Sequence, residues 1–257
     1  MSDNLFELMM IIGMGYFVYF FTNKLTFTHE EHQFSDVRKS AIDALMALFI
    51  GWVMISGLFL LLSMMGFSGG KHQEFGLLDV LRQIMLDCLF FGPALIVMRR
   101  RHETLSSAGI TKHNLGKSVL LGIILSAFMF LFNTIAKRFD TAEILRSISL
   151  SDFWALTTFL VVGIGEEFGF RGYLQTRLML WLGTTWGWVM ASTLMAVGHV
   201  VQRITIMGIS GTDALVSSLS LIPISLLFGY ILLRTENVVA GTLLHAFIDW
   251  SSVLYFT

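Results

Sequence analysis

The chain has 257 residues, of which 55% are hydrophobic and 14% are charged, against about 25% charged residues in soluble domains. A soluble fold would expose large apolar patches with this composition, whereas the hydrocarbon core of a bilayer solvates them. The formal net charge of -1 at pH 7 gives no polybasic surface, so we expect no nucleic-acid partner. We therefore expect an integral, multi-pass protein of the cell (plasma) membrane with membrane lipid among its partners.

Eight apolar segments follow one another along the chain, most of them near the ~20 residues that a helix needs to cross a bilayer. In chain order they are Leu5–Thr22, Ala41–Gly66, Leu77–Met98, Val119–Ala136, Phe153–Leu182, Thr185–Val201, Ala214–Leu233 and Val238–Phe256. The connections between them are short and carry most of the charges. This pattern predicts an all-α fold, a polytopic transmembrane bundle of about eight membrane helices.

Lysine and arginine are distributed unequally between the two sets of loops. The set that contains Arg99, Arg100 and Arg101, and to which we also assign Arg177, carries the larger share. The positive-inside rule then predicts that the Arg99 to Arg101 cluster is cytoplasmic and that both termini lie outside.

Six ionisable residues interrupt the last four apolar segments. They are Glu166, Glu167, Arg171, His199, His245 and Asp249. A charge at the centre of a membrane helix costs from about 2.5 to more than 10 kcal/mol, so residues retained there usually have a function. Segments five and six are expected to form an antiparallel hairpin about Gly183, which would bring Glu166 and His199 to the same depth.

Helical spacing divides these residues into groups. Glu167 and Arg171 are separated by four positions, so they can form an ion pair on one helix face. Glu166 points about 100° away from Glu167 and remains available for another role. His245 and Asp249 also share one helix face, which we expect to point into the same cavity as Glu166.

Glycines surround the paired glutamates. Gly165 and Gly169 form a small-xxx-small pair, which lets a neighbouring helix approach closely. We therefore expect the polar groups to pack against protein and to be shielded from lipid.

The chemistry that these groups could perform is the activation of water. A buried carboxylate such as Glu166 can act as a general base, and an imidazole such as His199 can orient the water or share its proton. Glu166, His199 and His245 also match the His2Glu ligand set of catalytic zinc sites. Two alternatives stay open from the residues, a site without a cofactor and a zinc site with these three ligands.

The motifs resemble those of the CAAX prenyl endopeptidase and bacteriocin-processing family, called CPBP or Abi. Its first motif, two glutamates, three variable residues and an arginine, is matched by Glu166, Glu167 and Arg171. Its second, a phenylalanine, three residues and a histidine, is matched at His199 with Met195 in place of the aromatic residue. The resemblance implies that Glu166 activates water with the help of His199, while Glu167 and Arg171 brace the site.

The third motif of the family, a histidine followed after three residues by asparagine or aspartate, is matched by His245 and Asp249. These two residues would hold the developing oxyanion or orient the substrate. The resemblance covers Phe153 to Phe256. It therefore implies two parts, residues 1–150 with about four N-terminal transmembrane helices and residues 151–257 as a CPBP-like catalytic transmembrane core.

The function expected from this resemblance is that of an intramembrane endopeptidase with a peptide or protein substrate at the membrane. That substrate would be membrane-associated, prenylated or of the leader-peptide type. One alternative is a non-catalytic regulatory or immunity protein on the same fold. A second is a proton-coupled transporter, although the internal repeats typical of transporters are not found in the sequence.

Overall fold

The computed structural model of the protein describes residues 3–29, 34, 36–65, 74–137 and 146–256. These residues form helices and connecting turns and contain no β-strand, which confirms the all-α prediction. In chain order the helices are α1 (Asp3–Lys24), α2 (Val37–Met64), α3 (Leu77–Arg100), a 3₁₀ turn (Leu105–Ala108), α4 (Leu115–Lys137), α5 (Leu150–Glu166), a π-helix (Glu167–Gln175), α6 (Thr176–Leu182), α7 (Thr184–Thr205), α8 (Gly211–Leu219), α9 (Ile222–Thr235) and α10 (Val239–Phe256).

Five stretches in the described residues are long and apolar enough to cross a membrane. They are Val37–Met64, Leu77–Arg100, Leu115–Ile135, Leu150–Leu182 and Gly211–Thr235. They fit a membrane protein, but the predicted number of about eight spans is not confirmed. Helix α7 carries Thr, Ser, His and Arg side chains along its length, and the apolar helix Val239–Leu254 is shorter than the other five. Gly66, the predicted end of the second segment, lies outside the described residues.

The seventh predicted segment, Ala214–Leu233, is not one continuous helix. Helix α8 ends at Leu219, and α9 begins at Ile222 with Pro223 in its first turn. Proline has no backbone N–H and is favoured in the first turn of a helix, where that N–H would have no partner, so Pro223 fits the start of a new helix at this point.

The fifth and sixth predicted segments do form the expected hairpin. Helix continues from Leu150 to Leu182, and α7 begins at Thr184 on the other side of Gly183. Gly183 has φ of 84°, a backbone conformation that glycine adopts at little cost. In this hairpin α7 lies antiparallel to α6 and the π-helix, so polar residues of the two arms lie at the same depth.

Helix α3 packs closely against both α2 and the α5/π-helix segment. A Cβ atom on Gly51 would lie 1.8 Å from the carbonyl oxygen of Phe90. A Cβ atom on Gly169 would lie 1.9 Å from Cε1 of Phe91, and one on Gly165 would lie 3.0 Å from Cε2 of the same ring. The close helix approach predicted from Gly165 and Gly169 is therefore present, and the neighbour is α3.

A buried ion-pair network joins α6 to the turn that follows α3. Arg177 is fully buried, and its guanidinium donates through Nε to Glu103 Oε2 at 3.2 Å and through Nη2 to the hydroxyl of Ser107 at 3.0 Å. Arg101 contacts the same glutamate through its other oxygen and pairs with Asp43 at 2.7 Å. The assignment of Arg177 to a loop was wrong, because Glu103 provides a partner that lets the arginine lie inside the helix bundle.

Candidate active site

Glu166 lies between two histidines that come from two different helices. It is the last residue of α5. Its Oε1 is 3.7 Å from Nε2 of His199 on α7, and its Oε2 is 3.8 Å from Nε2 of His245 on α10. Both separations exceed hydrogen-bonding distance, and Oε2 is buried without a hydrogen-bond partner in the described part of the chain. The carboxylate thus keeps capacity to accept a proton.

The backbone of its own helix fixes the orientation of His199. Nδ1 lies 2.9 Å from the carbonyl oxygen of Met195. A carbonyl can only accept, so Nδ1 carries the hydrogen and donates it, and Nε2 is turned towards Glu166. Met195, which stands where the family motif has an aromatic residue, is buried in the core together with Phe91 and Phe170.

His245 is held through its other ring nitrogen. Nδ1 donates to Oε1 of Glu167 at 3.1 Å. Nε2 faces Glu166 and also lies 3.6 Å from Oδ2 of Asp249, one helical turn further along α10. The ring of Phe228 stacks on the imidazole with 5.0 Å between centroids. His245 therefore has a fixed ring plane and one nitrogen directed at the Glu166 carboxylate.

The second glutamate belongs to a buried polar chain behind this cluster. Oε2 of Glu167 lies 3.6 Å from Nε of Arg171, and each side chain is only 2% exposed. Arg171 also donates through Nη2 to Ser225 at 3.1 Å and lies over the Phe228 ring at 5.3 Å. A Cβ atom on Gly241 would lie 2.8 Å from Glu167 Oε2, so only a glycine at this position of α10 leaves room for the carboxylate.

The π-helix is a feature that the helical spacing did not predict. It begins at Glu167, directly after the central glutamate, and runs to Gln175. Its backbone bonds span five residues, so it winds less tightly than an α-helix, and such segments often occur at functional sites. The ion pair of Glu167 and Arg171 still forms because both long side chains can bend towards each other. Two helix-weakening glycines, Gly169 and Gly172, lie within the segment.

A cavity of about 130 Å³ opens beside Glu166 and His199. Its lining comprises Ile55, Ser56, Phe59, Gln83, Leu86, Asp87, Phe90, Phe91, Glu166, Phe170, Gly198, His199 and Gln202. His245 and Asp249 are not part of the lining of this cavity, and their expected roles at the site stay predictions. The Asp249 side chain is 35% exposed, while that of His245 is 9% exposed.

Four polar residues of the cavity were missed in the sequence. Ser56 lies on α2, Gln83 and Asp87 lie on α3, and Gln202 lies on α7. Asp87 is an ionisable residue inside the third predicted apolar segment, so the cost of a charge in a membrane could have identified it as well.

An apolar groove of about 370 Å³ adjoins the cavity, and the two share Phe90, Phe170 and Gly198. Its other lining residues are Leu45, Met46, Leu48, Phe49, Trp52, Leu174, Leu194 and Val197. Trp52 donates a hydrogen bond to the carbonyl of Gly198 at 3.1 Å, next to His199. This bond ties α2 to α7 at the level of the polar cluster.

The described side chains do not form a metal site in this arrangement. Within the described ranges, no group of three or more His, Cys, Asp or Glu side chains is placed so as to hold a metal ion. Zinc ligands lie about 2.0–2.2 Å from one ion. Glu166 turns a different oxygen to each histidine, so no single carboxylate oxygen lies near both Nε2 atoms.

The polar cluster lies within a segment that is similar to a known protein family. Residues 148–251 match the family model of the Rce1-like type II CAAX prenyl endopeptidases. The match spans all six charged residues of the cluster and confirms the resemblance drawn from the three motifs. It supports, at the level of the family, a CAAX-protease-type intramembrane peptidase. No curated protein and no solved structure matches the chain.

Proposed function

We propose that the protein is an intramembrane endopeptidase in which Glu166 activates a water molecule for attack on a peptide bond. One observation carries the proposal. The Glu166 carboxylate stands at the edge of a cavity inside an apolar helix bundle, between Nε2 atoms of His199 and His245 and without a hydrogen-bond donor on Oε2. Burial of such a group is costly and is typical of a general base.

In this mechanism Glu166 accepts a proton from water as the water oxygen bonds to the carbonyl carbon of the substrate. The carbon–nitrogen bond then breaks, and the proton passes from Glu166 to the leaving amine. His199, whose Nε2 lies on the cavity side, accepts a hydrogen bond from the same water and orients it. The products are a carboxylic acid and an amine, so the step needs no reactant other than water.

The remaining four residues act behind Glu166. His245 faces the carboxylate with Nε2 at 3.8 Å, and Glu167 with Arg171 fixes the orientation of His245 in turn. Because His245 does not line the cavity, positioning Glu166 is the role that the contacts favour over direct contact with an oxyanion. Asp249 orients His245 from the exposed side of the cluster.

The substrate in this proposal is a peptide or protein at the membrane, prenylated or of the leader-peptide type. The apolar groove next to the cavity offers an apolar part of such a substrate a place to bury its surface. Burial of apolar surface is worth roughly 25 cal/mol per Å². The reactive bond would then lie beside Glu166, while the apolar part lies between α2 and α7.

The test compares membranes that contain the wild-type protein with membranes that contain Glu166→Gln. New peptide termini are identified by mass spectrometry, and the rate at which each appears is measured. We expect Glu166→Gln to reduce these rates at least about 100-fold, the contribution typical of a general base. Glu7→Gln is the matched control, because Glu7 is exposed on α1 and does not line the cavity.

Two results would contradict the proposal. Identical termini at identical rates with and without Glu166→Gln would show that the glutamate is not the base. Full biological activity of that variant would favour the regulatory or immunity alternative.

A further inference from the structure

One wall of the cavity comes from the N-terminal half of the chain. Ser56 of α2 and the pair Gln83 and Asp87 of α3 lie on this wall, outside the segment that matches the family model. The Ser56 hydroxyl is buried and has no hydrogen-bond partner in the described residues. This part of the cavity therefore has unused hydrogen-bonding capacity, and the proposed hydrolysis does not involve these polar groups.

Asp87 is brought to the active site by a close approach between helices. Its Oδ2 would lie 2.5 Å from a Cβ atom on Gly165, the residue directly before Glu166. Its other oxygen accepts a hydrogen bond from Gln83 Nε2 at 2.8 Å, which fixes the carboxyl plane. A further acidic side chain in the membrane interior is costly and calls for a function of its own.

The charge of the cavity limits what can bind there. Its lining contains the carboxyl groups of Glu166 and Asp87, the imidazole of His199 and the amides of Gln83 and Gln202. No lysine or arginine belongs to the lining in the part of the chain that the structure describes. A substrate carboxylate would meet two acidic groups here, whereas an ammonium or guanidinium group would find carboxylate and amide oxygens as acceptors.

We propose that Asp87 is a specificity-determining residue that binds a lysine or arginine side chain of the substrate next to the scissile bond. Gln83 orients the Asp87 carboxyl group, and the Ser56 hydroxyl adds a hydrogen bond to the bound lysine or arginine side chain. The cavity of about 130 Å³ exceeds the roughly 10–15 Å³ of such space that a single water molecule needs, so it has room for the polar end of a side chain. This proposal rests on the proposed endopeptidase function.

The test uses purified full-length protein and matched fluorescent peptide amides that differ in one residue, lysine, glutamine or glutamate, placed in turn on either side of the central bond. We expect wild type to prefer lysine over glutamine at one position by at least about tenfold in kcat/KM, as for a charge-assisted contact. Asp87→Asn should bring the ratio close to one. Asp213→Asn, at an exposed aspartate of α8, should keep the ratio of wild type.

A binding experiment decides the proposal even if no peptide is cleaved. Affinities of the same peptides are measured by fluorescence anisotropy for Glu166→Gln, with and without Asp87→Asn. A preference for lysine that disappears with Asp87→Asn supports the assignment, while absence of cleavage by wild type would count against the proposed endopeptidase function alone. Equal affinity for lysine and glutamine peptides in Glu166→Gln, or an unchanged ratio after Asp87→Asn, would overturn it.

Discussion

Replacement of Gly169 by alanine tests how closely α3 must approach the active-site helix. The new Cβ atom would lie 1.9 Å from Cε1 and 2.3 Å from Cδ1 of Phe91. The ring would have to retreat by about 1.5 Å to reach ordinary contact at 3.4 Å, and close-packed interiors do not yield that distance freely. Phe91 is only 4% exposed and lies against Phe90, with ring centroids 4.5 Å apart.

Two opposing free-energy terms determine the expected result for Gly169→Ala. Alanine in place of glycine stabilises a helix by roughly 0.5–1 kcal/mol, since the unfolded chain loses freedom. Overpacking of a filled core costs roughly 1–3 kcal/mol, and more when backbone must move. We therefore expect net destabilisation of about 1 kcal/mol or more. Gly57→Ala is the control, because Gly57 on α2 has open space around its Cβ position and should be neutral or stabilising.

The assay is thermal unfolding of the purified protein in detergent for Gly169→Ala, Phe91→Ala and the double variant. If the clash with the ring is the cause, the two substitutions should couple by about 1 kcal/mol or more, since removal of the ring frees the space. Additive effects, or a Gly169→Ala protein as stable as Gly57→Ala, would refute the close approach of α3 on which the position of Asp87 depends.

Two further predictions concern Asp249 and metal content. Asp249→Asn should retain much of the proteolytic rate if the residue orients His245 by hydrogen bonding, whereas Asp249→Leu should lose about tenfold or more. An equal loss of rate in both variants would indicate that the negative charge itself is needed. Normal rates in both variants would show that Asp249 has no role at the site. Metal analysis of the purified protein should find no stoichiometric zinc, and a zinc ion per chain that is lost in His199→Ala would contradict the arrangement of Glu166 and the two histidines described above.

The sequence predicted the centre of the site better than its surroundings. Depth along two antiparallel helices depends only on residue number and on the rise per residue. The position of the turn at Gly183 therefore predicts that Glu166 and His199 lie at the same depth. The spacing of Gly165 and Gly169 predicted a close neighbour. It could not say which helix that neighbour is, since the choice of α3 depends on how the whole bundle packs.

Other features depend on partners that are distant in sequence. Arg177 was counted among the loop charges, but it lies inside the helix bundle, where Glu103 from another element neutralises its charge. The position of Asp249 outside the cavity lining also could not be predicted. A shared helix face fixes its side relative to His245, but not which neighbouring helices enclose that face.

The π-helix has a consequence for the spacing of residues along this helix. Glu166, directly before the segment, lies near His199 of α7 and His245 of α10, while Arg177, just beyond Gln175, contacts Glu103. Because each π turn takes more residues than an α turn, the segment sets the rotation of one end relative to the other. A relative with a regular α-helix here would need a shorter segment to keep both contacts. A relative with a regular α-helix here should therefore have fewer residues between the positions aligned with Glu166 and Arg177. The partners at both ends of the segment should stay the same.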